Sequence, residues 1–333
     1  MRNWNFLICM FLISIHLSAQ VYIPDTFTKL KNNSEFAEYP FAGGLNNPQF
    51  YEIDFNFDGI KDLYIFDRTG GKSLTFLNNG TPGQVDYVYA PVYESIFPKM
   101  ENFVVLTDVN CDGIEDIFTS YDNGIKVFYS QVSGTSFSYV EFADKLEYAA
   151  GGFNFEIFVG VIDIPAIVDV NLDGDPDILN FRPAGGYVDY FENKQMENGD
   201  PCGTFSLELI TSCWGNFYES GISKSVDLDI ACKGVAGGRA GMHAGSTFLA
   251  FDYDVDADID ILLGDLSFNN LNLLTNGGDA SFAHIISQDT VFPSYDVEAN
   301  IATFPASFLV DVNNDGKKDL LAAPNKRGFS ENF

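Results

Sequence analysis

Short apolar runs come in pairs along this chain, and a polar phrase splits each pair. Phe50 to Ile53 and Leu63 to Phe66 flank the first phrase, Phe103 to Leu106 and Ile117 to Phe118 the second, Ala166 to Val168 and Ile178 to Leu179 the third. Phe248 to Phe251 and Ile261 to Leu263 flank the fourth, and Phe308 to Val310 and Leu320 to Leu321 the fifth. Runs this short, rich in β-branched and aromatic residues and bounded by turn formers, read as strands. Helical periodicity is nearly absent. Each unit therefore reads as strand, polar loop, strand.

The polar phrase barely varies. Side-chain oxygens stand at loop positions 1, 3, 5 and 9: Asp54, Asn56, Asp58 and Asp62; Asp108, Asn110, Asp112 and Asp116; Asp169, Asn171, Asp173 and Asp177; Asp252, Asp254, Asp256 and Asp260; Asp311, Asn313, Asp315 and Asp319. Position 6 is glycine in every copy but the fourth, where Ala257 replaces it. Calcium takes six to eight oxygens at about 2.3–2.6 Å in a flexible shell, and alternate side chains of a tight loop can supply them. Glycine at position 6 permits a positive φ. The turn would then aim the backbone carbonyl of position 7 at the ion, from Ile60, Ile114, Asp175, Asp258 or Lys317. The expectation is about five structural calcium ions, one per loop. Magnesium demands stricter octahedral geometry, and zinc would want His or Cys at ligand positions. Asp, Asn and Gly also build Asx-turns without metal, but five copies at one spacing favour a shared ligand. A helical EF-hand is excluded by position 12, which is Ile65, Thr119, Asn180, Leu263 or Ala322 instead of a bidentate Glu.

Composition sharpens this picture. The 333 residues carry 47 acids against 18 Lys and Arg, a net charge of −29, while 46% are hydrophobic and 15% aromatic. Such a chain has ample core material and is not a disordered acidic tail. The five loops hold sixteen carboxylates at positions 1, 3, 5 and 9, so ligand supply accounts for much of the acidity. The charge argues against nucleic acid and anionic membrane as partners. Arg2, the apolar stretch Phe6 to Leu17 and Leu17-Ser18-Ala19 read as a signal peptide over residues 1–19, cut before Gln20. The mature chain, 20–333, is expected to be secreted or held at the cell surface, without membrane insertion. Cys111, Cys202, Cys213 and Cys232 would survive cleavage and allow up to two disulfides in three connectivities.

The first ligands fall at residues 54, 108, 169, 252 and 311. Three of the four steps have room for four short strands with their turns, the content of a propeller blade. Hairpin turns are marked by Thr69 to Gly71, Asn78 to Gly80, Asp122 to Gly124, Ala184 to Gly186 and Asn276 to Gly278. The long step carries an insertion at about 194–245 with three cysteines, Trp214 and His243. The expected fold is all-β, a propeller of four-stranded blades with calcium-binding hairpin loops and about five blades visible. Its ring would be completed either by residues 20–48 or by chain beyond Phe333, and the second is the expectation.

These repeats resemble the FG-GAP/VCBS family, the integrin-α-type propeller repeats with calcium loops in their blade hairpins, from Asn46 to Leu320. Together with the Ser18-Ala19-Gln20 junction they look like exported proteins of Bacteroidetes-type bacteria, which often carry a type IX secretion domain. The resemblance implies a non-enzymatic surface or secreted binding or adhesion module, with a protein or glycan as ligand. The alternative is a scaffold or catalytic domain of a polysaccharide lyase or hydrolase, for which His243, His284, Arg182 and Arg239 would be the groups outside the loops. No Ser-His-Asp arrangement, zinc motif or phosphate loop supports it.

Overall fold

The computed structural model describes residues 29–32, 35, 36, 39, 42–183, 186–230, 245–302 and 304–326. The expected signal peptide, Cys232, Arg239 and His243 lie outside them. The chain divides into two compact units, Met1–Gly43 and Gly44–Phe333. In the first, Lys31–Asn32 pairs with Glu35–Phe36.

The second unit is built from antiparallel meanders. The first sheet runs Pro48–Ile53, Asp62–Asp67, Lys72–Asn78 and Tyr87–Tyr89. The second runs Val104–Thr107, Asp116–Tyr121, Gly124–Ser133 and Ser136–Ala143. The third has Ala166–Val168, Asp177–Phe181, Val188–Asn193 and Leu207–Thr211, and the fourth Ser246–Phe251, Asp260–Asp265, Leu271–Asn276 and Ile285–Asp289. The third is widened to six strands by the hairpin Glu147–Ala150 and Phe153–Glu156, whose first strand pairs in parallel with Leu207–Thr211. This is an all-β propeller arrangement of four blades. The expected count of about five is corrected, because the fifth repeat forms only the two-stranded sheet Pro305–Val310 and Asp319–Pro324.

That hairpin nevertheless completes the circle. The first strands of the five sheets neighbour one another in order, and Pro305–Val310 packs against both Ser246–Phe251 and Pro48–Ile53. Hydrogen bonds seal the join: Asn47 Nδ2 to the Pro324 carbonyl at 3.1 Å, Gln84 N to the Asn313 carbonyl at 2.8 Å, and Asp311 N to Glu52 Oε1 at 3.1 Å. A cavity of about 220 Å³ lies among the inner strands, lined by Tyr51, Leu106, Ile167, Leu249 and Phe308.

The core sits between blades. Phe55, Tyr64, Phe66, Ile117 and Phe128 fill the first interface, Phe118, Val127, Ile178 and Phe191 the second, and Phe181, Phe248, Ile261 and Leu274 the third. Phe181 stacks on Phe248 with ring centroids 4.8 Å apart. Both faces of each middle strand are thus covered, which is why Asp177–Phe181 and Asp260–Asp265 are buried at every residue.

Candidate metal centres

All five polar phrases occupy one place in the fold. Each connects the first strand of its sheet to the second, and position 9 is the first residue of the second strand. The closing pairs match: Ile53 with Asp62, Thr107 with Asp116, Val168 with Asp177, Phe251 with Asp260 and Val310 with Asp319.

The backbone also repeats. Position 6 has positive φ in every loop: Gly59 (85°), Gly113 (91°), Gly174 (106°), Ala257 (71°) and Gly316 (82°). A side chain at Gly59, Gly113 or Gly316 would meet nothing within 4 Å, so the demand is for the dihedral and not for space. Position 4 is left-handed too: Phe57 (61°), Cys111 (60°), Leu172 (62°), Val255 (64°) and Asn314 (59°). Four of these residue types strongly disfavour that region. The loops hold them there through a shared set of hydrogen bonds.

Position 1 accepts the N–H of position 6 in all five loops, at 2.9–3.1 Å. Position 5 accepts the N–H of position 7 at 2.8–3.2 Å. Position 3 accepts the N–H of position 5 in the four loops where it is Asn. Position 9 does different work. One oxygen of Asp62, Asp116, Asp177, Asp260 and Asp319 accepts the N–H of position 2 at 2.8–3.0 Å. In the four full blades the other oxygen accepts an N–H from the third strand, at Asn78, Ser130, Asn193 or Asn276. In the four full blades position 9 is thus a buried pin between loop and sheet. Burial pushes the Asp62 and Asp116 carboxyls up to about 6 and Asp177 up to about 7.

Among the described residues, two acidic trios bring an oxygen from each member within 4.8 Å of the others. One is Asp252, Asp254 and Asp260 of the fourth loop; the other joins Asp173 and Asp175 of the third loop to Glu197 in the turn Gln195–Asn198. These are the two loops with Asp at position 7. Expected to offer only their carbonyls, Asp175 and Asp258 also bury their carboxylates, each 2% exposed. Neither oxygen of Asp258 and only one of Asp175 finds a donor, and burial raises both groups to about 6. A buried carboxylate without donors is costly unless it is paired, protonated or bound to a cation. Ile60 and Ile114, at the same position, are an ordinary apolar packing solution. Sequence reading missed Glu197 because it lies outside the repeat.

The motif oxygens have the chemistry for a hard cation: carboxylates and amides with free lone pairs, and no basic partner. Lys61, Lys126, Lys145, Lys194 and Lys318 pair instead with Glu115, Glu141, Glu156, Glu192 and Glu52, and no ion pair among the described residues uses a motif carboxylate.

Within the range of the expected insertion, Leu207–Thr211 is the fourth strand of the third blade. A disulfide joins Cys111, at position 4 of the second loop, to Cys202, with Cα atoms 5.9 Å apart, and Tyr129 Oη donates to the neighbouring Gly203 carbonyl. Cys213 is also disulfide-bonded. Beside it, a cleft of about 150 Å³ opens between the third and fourth blades, lined by Tyr190, Ile210, Trp214, Asp279, Ser281 and Phe282. Arg182 pairs with Asp189 at 3.4 Å and His284 lies 2.8 Å from Asp229, so the two basic groups engage different acids.

The fold and loops define an all-β propeller with repeated acidic hairpin loops. No family model matches the chain, and no curated protein matches it, so the FG-GAP/VCBS resemblance rests on the loop phrase. Among solved structures, one described as the structural basis of specific recognition of non-reducing terminal N-acetylglucosamine by an Agrocybe aegerita lectin is similar at 15% identity, with a TM-score of 0.39. The similarity covers 83% of this chain and 74% of that one. A superposition this loose says nothing of ligand.

Proposed function

We propose that the protein is an exported, calcium-stabilised propeller that serves as a non-enzymatic binding module. The observation that carries the calcium reading is that no motif carboxylate enters an ion pair among the described residues, although the same chain pairs its lysines with other acids. Two carboxylates about 4 Å apart repel by about 4 kcal/mol at an effective dielectric of about 20, and divalent cations in the loops would convert that cost into stability. Asp54, Asn56, Asp58 and their counterparts at positions 1, 3 and 5 would hold the ion, with the position 7 carbonyl. Position 9 would anchor the loop and lend a remaining lone pair. Hydrogen bonds alone could maintain the same loop shape, so metal content decides between the two readings.

Binding to the folded state alone would stabilise it by about 2.7 kcal/mol per site when calcium stands at about 100 times its dissociation constant. EGTA should therefore lower the melting temperature markedly, and elemental analysis of the untreated protein should find calcium. An unchanged melting curve from a metal-free sample would refute the reading. The ligand of the module would enter the cleft beside Trp214 and Phe282. There an exposed aromatic ring, hydroxyl groups and one carboxylate suit a neutral polar ligand such as a glycan. A glycan array is the direct screen, with Phe282→Ala expected to abolish any signal; a hit that survives this change would place the site elsewhere.

A further inference from the structure

We infer that the third loop takes a second cation, beyond the one its motif would hold, and that this ion clips the turn Gln195–Asn198 onto the blade. The inference rests on the calcium reading of the loops. Its site is the trio of Asp173, Asp175 and Glu197, whose oxygens lie within 4.8 Å of one another. Only Asp173 is a motif side-chain ligand; Asp175 sits at position 7, where the motif uses the carbonyl, and Glu197 comes from outside the repeat.

The second, independent observation is the state of Asp175. The residue is 2% exposed overall. One oxygen accepts Met196 N at 2.9 Å, which fixes the turn against the loop, and the other has no partner. A buried, half-satisfied carboxylate beside two further acids offers oxygen ligands of the kind a hard cation takes, and a cation there would satisfy it. Lys194 already shows the preference for positive charge: its Nζ lies 2.9 Å from Glu197 Oε1 and 2.5 Å from Glu192 Oε2. It is an ammonium at the edge of the trio, on a flexible stem that can swing away.

The consequence reaches the second loop. The turn leads directly to Cys202, which is bridged to Cys111 at position 4 of that loop. The segment 195–202 is therefore held at one end by a disulfide and at the other by a cation, and calcium would control how firmly it lies across the two blades.

The test uses the full chain. Hydrogen exchange of the peptide covering 195–202 is followed by mass spectrometry as calcium is titrated, for wild type, Glu197→Gln and Lys194→Gln. Glu197 is at the surface, so its replacement leaves the fold intact. Calcium should slow exchange in this peptide in wild type, and Glu197→Gln should weaken that response by about 10-fold or more in calcium concentration while the calcium-induced rise in melting temperature persists. Lys194→Gln should tighten the response by removing the competing ammonium, whereas a turn held only by the Lys194–Glu197 ion pair would loosen. Calcium protection that is equal in wild type and Glu197→Gln, with the melting shift intact, overturns the clip alone. No melting shift and no bound calcium in any variant overturns the clip and the calcium reading together.

Discussion

Val255 and Ala257 sit at φ of 64° and 71°, where the other loops place Phe, Cys, Leu or Asn and then Gly. Ala pays for a left-handed backbone with about 1 kcal/mol, so Ala257→Gly should stabilise the protein by about that amount in a denaturant titration. A loss of stability would mean that the Ala methyl makes a contact worth more than the strain. Position 6 was legible in the sequence because glycine announces positive φ. Position 4 was not: Phe57, Leu172 and Val255 give no sign of it, and only the hydrogen bonds of the closed loop impose it. Asp265 makes a second prediction at this scale. It is buried against Glu219, and burial first, then that neighbouring acid, push its carboxyl up to about 8. A folded value above the unfolded one of about 3.9 means that its contribution to stability is complete in acid and is lost as pH rises through about 8. Its share of stability should therefore fall between about pH 4 and about pH 8 and level off above that, and Asp265→Asn should flatten that fall. An identical slope in the variant would remove Asp265 as its cause.

Among the elements, the strand–loop–strand unit was the most readable, because paired apolar runs and an eight-residue polar connection repeat with little variation. The division of labour inside the loop was not readable. Position 9 looks like one more ligand in sequence, yet both oxygens of Asp116 accept backbone N–H groups, from Val109 and Asn110 on one side and Ser130 on the other. Removing that carboxylate leaves buried donors unsatisfied at about 1–3 kcal/mol each. Asp116→Ala should cost about 3 kcal/mol or more even in EGTA, whereas Asp112→Ala, at an exposed position, should cost little without calcium. Equal losses for both variants in EGTA would contradict the assignment of separate roles. Two elements escaped the sequence reading. The hairpin Glu147–Ala150 and Phe153–Glu156 carries no repeat phrase, and Leu207–Thr211 lies among the cysteines that marked an insertion.

Over the whole molecule, four full blades and one hairpin close a ring that the repeat count alone would have made five equal blades. What decides this is the join: Glu52, Asn47 and Gln84 of the first blade meet the fifth hairpin directly. The five loops distribute acid around that ring, and the net charge of −29 would be relieved by ten positive charges if each loop held one calcium. The measurement that tests this most directly is the calcium content per chain after gel filtration into metal-free buffer, read beside the melting temperature with and without EGTA. The account predicts about five tightly held motif ions, one for each loop, with one further ion at the Asp173, Asp175 and Glu197 trio of the third loop, and a melting temperature that falls when they are stripped. A chain that carries less than about one ion and melts at the same temperature in EGTA would contradict it.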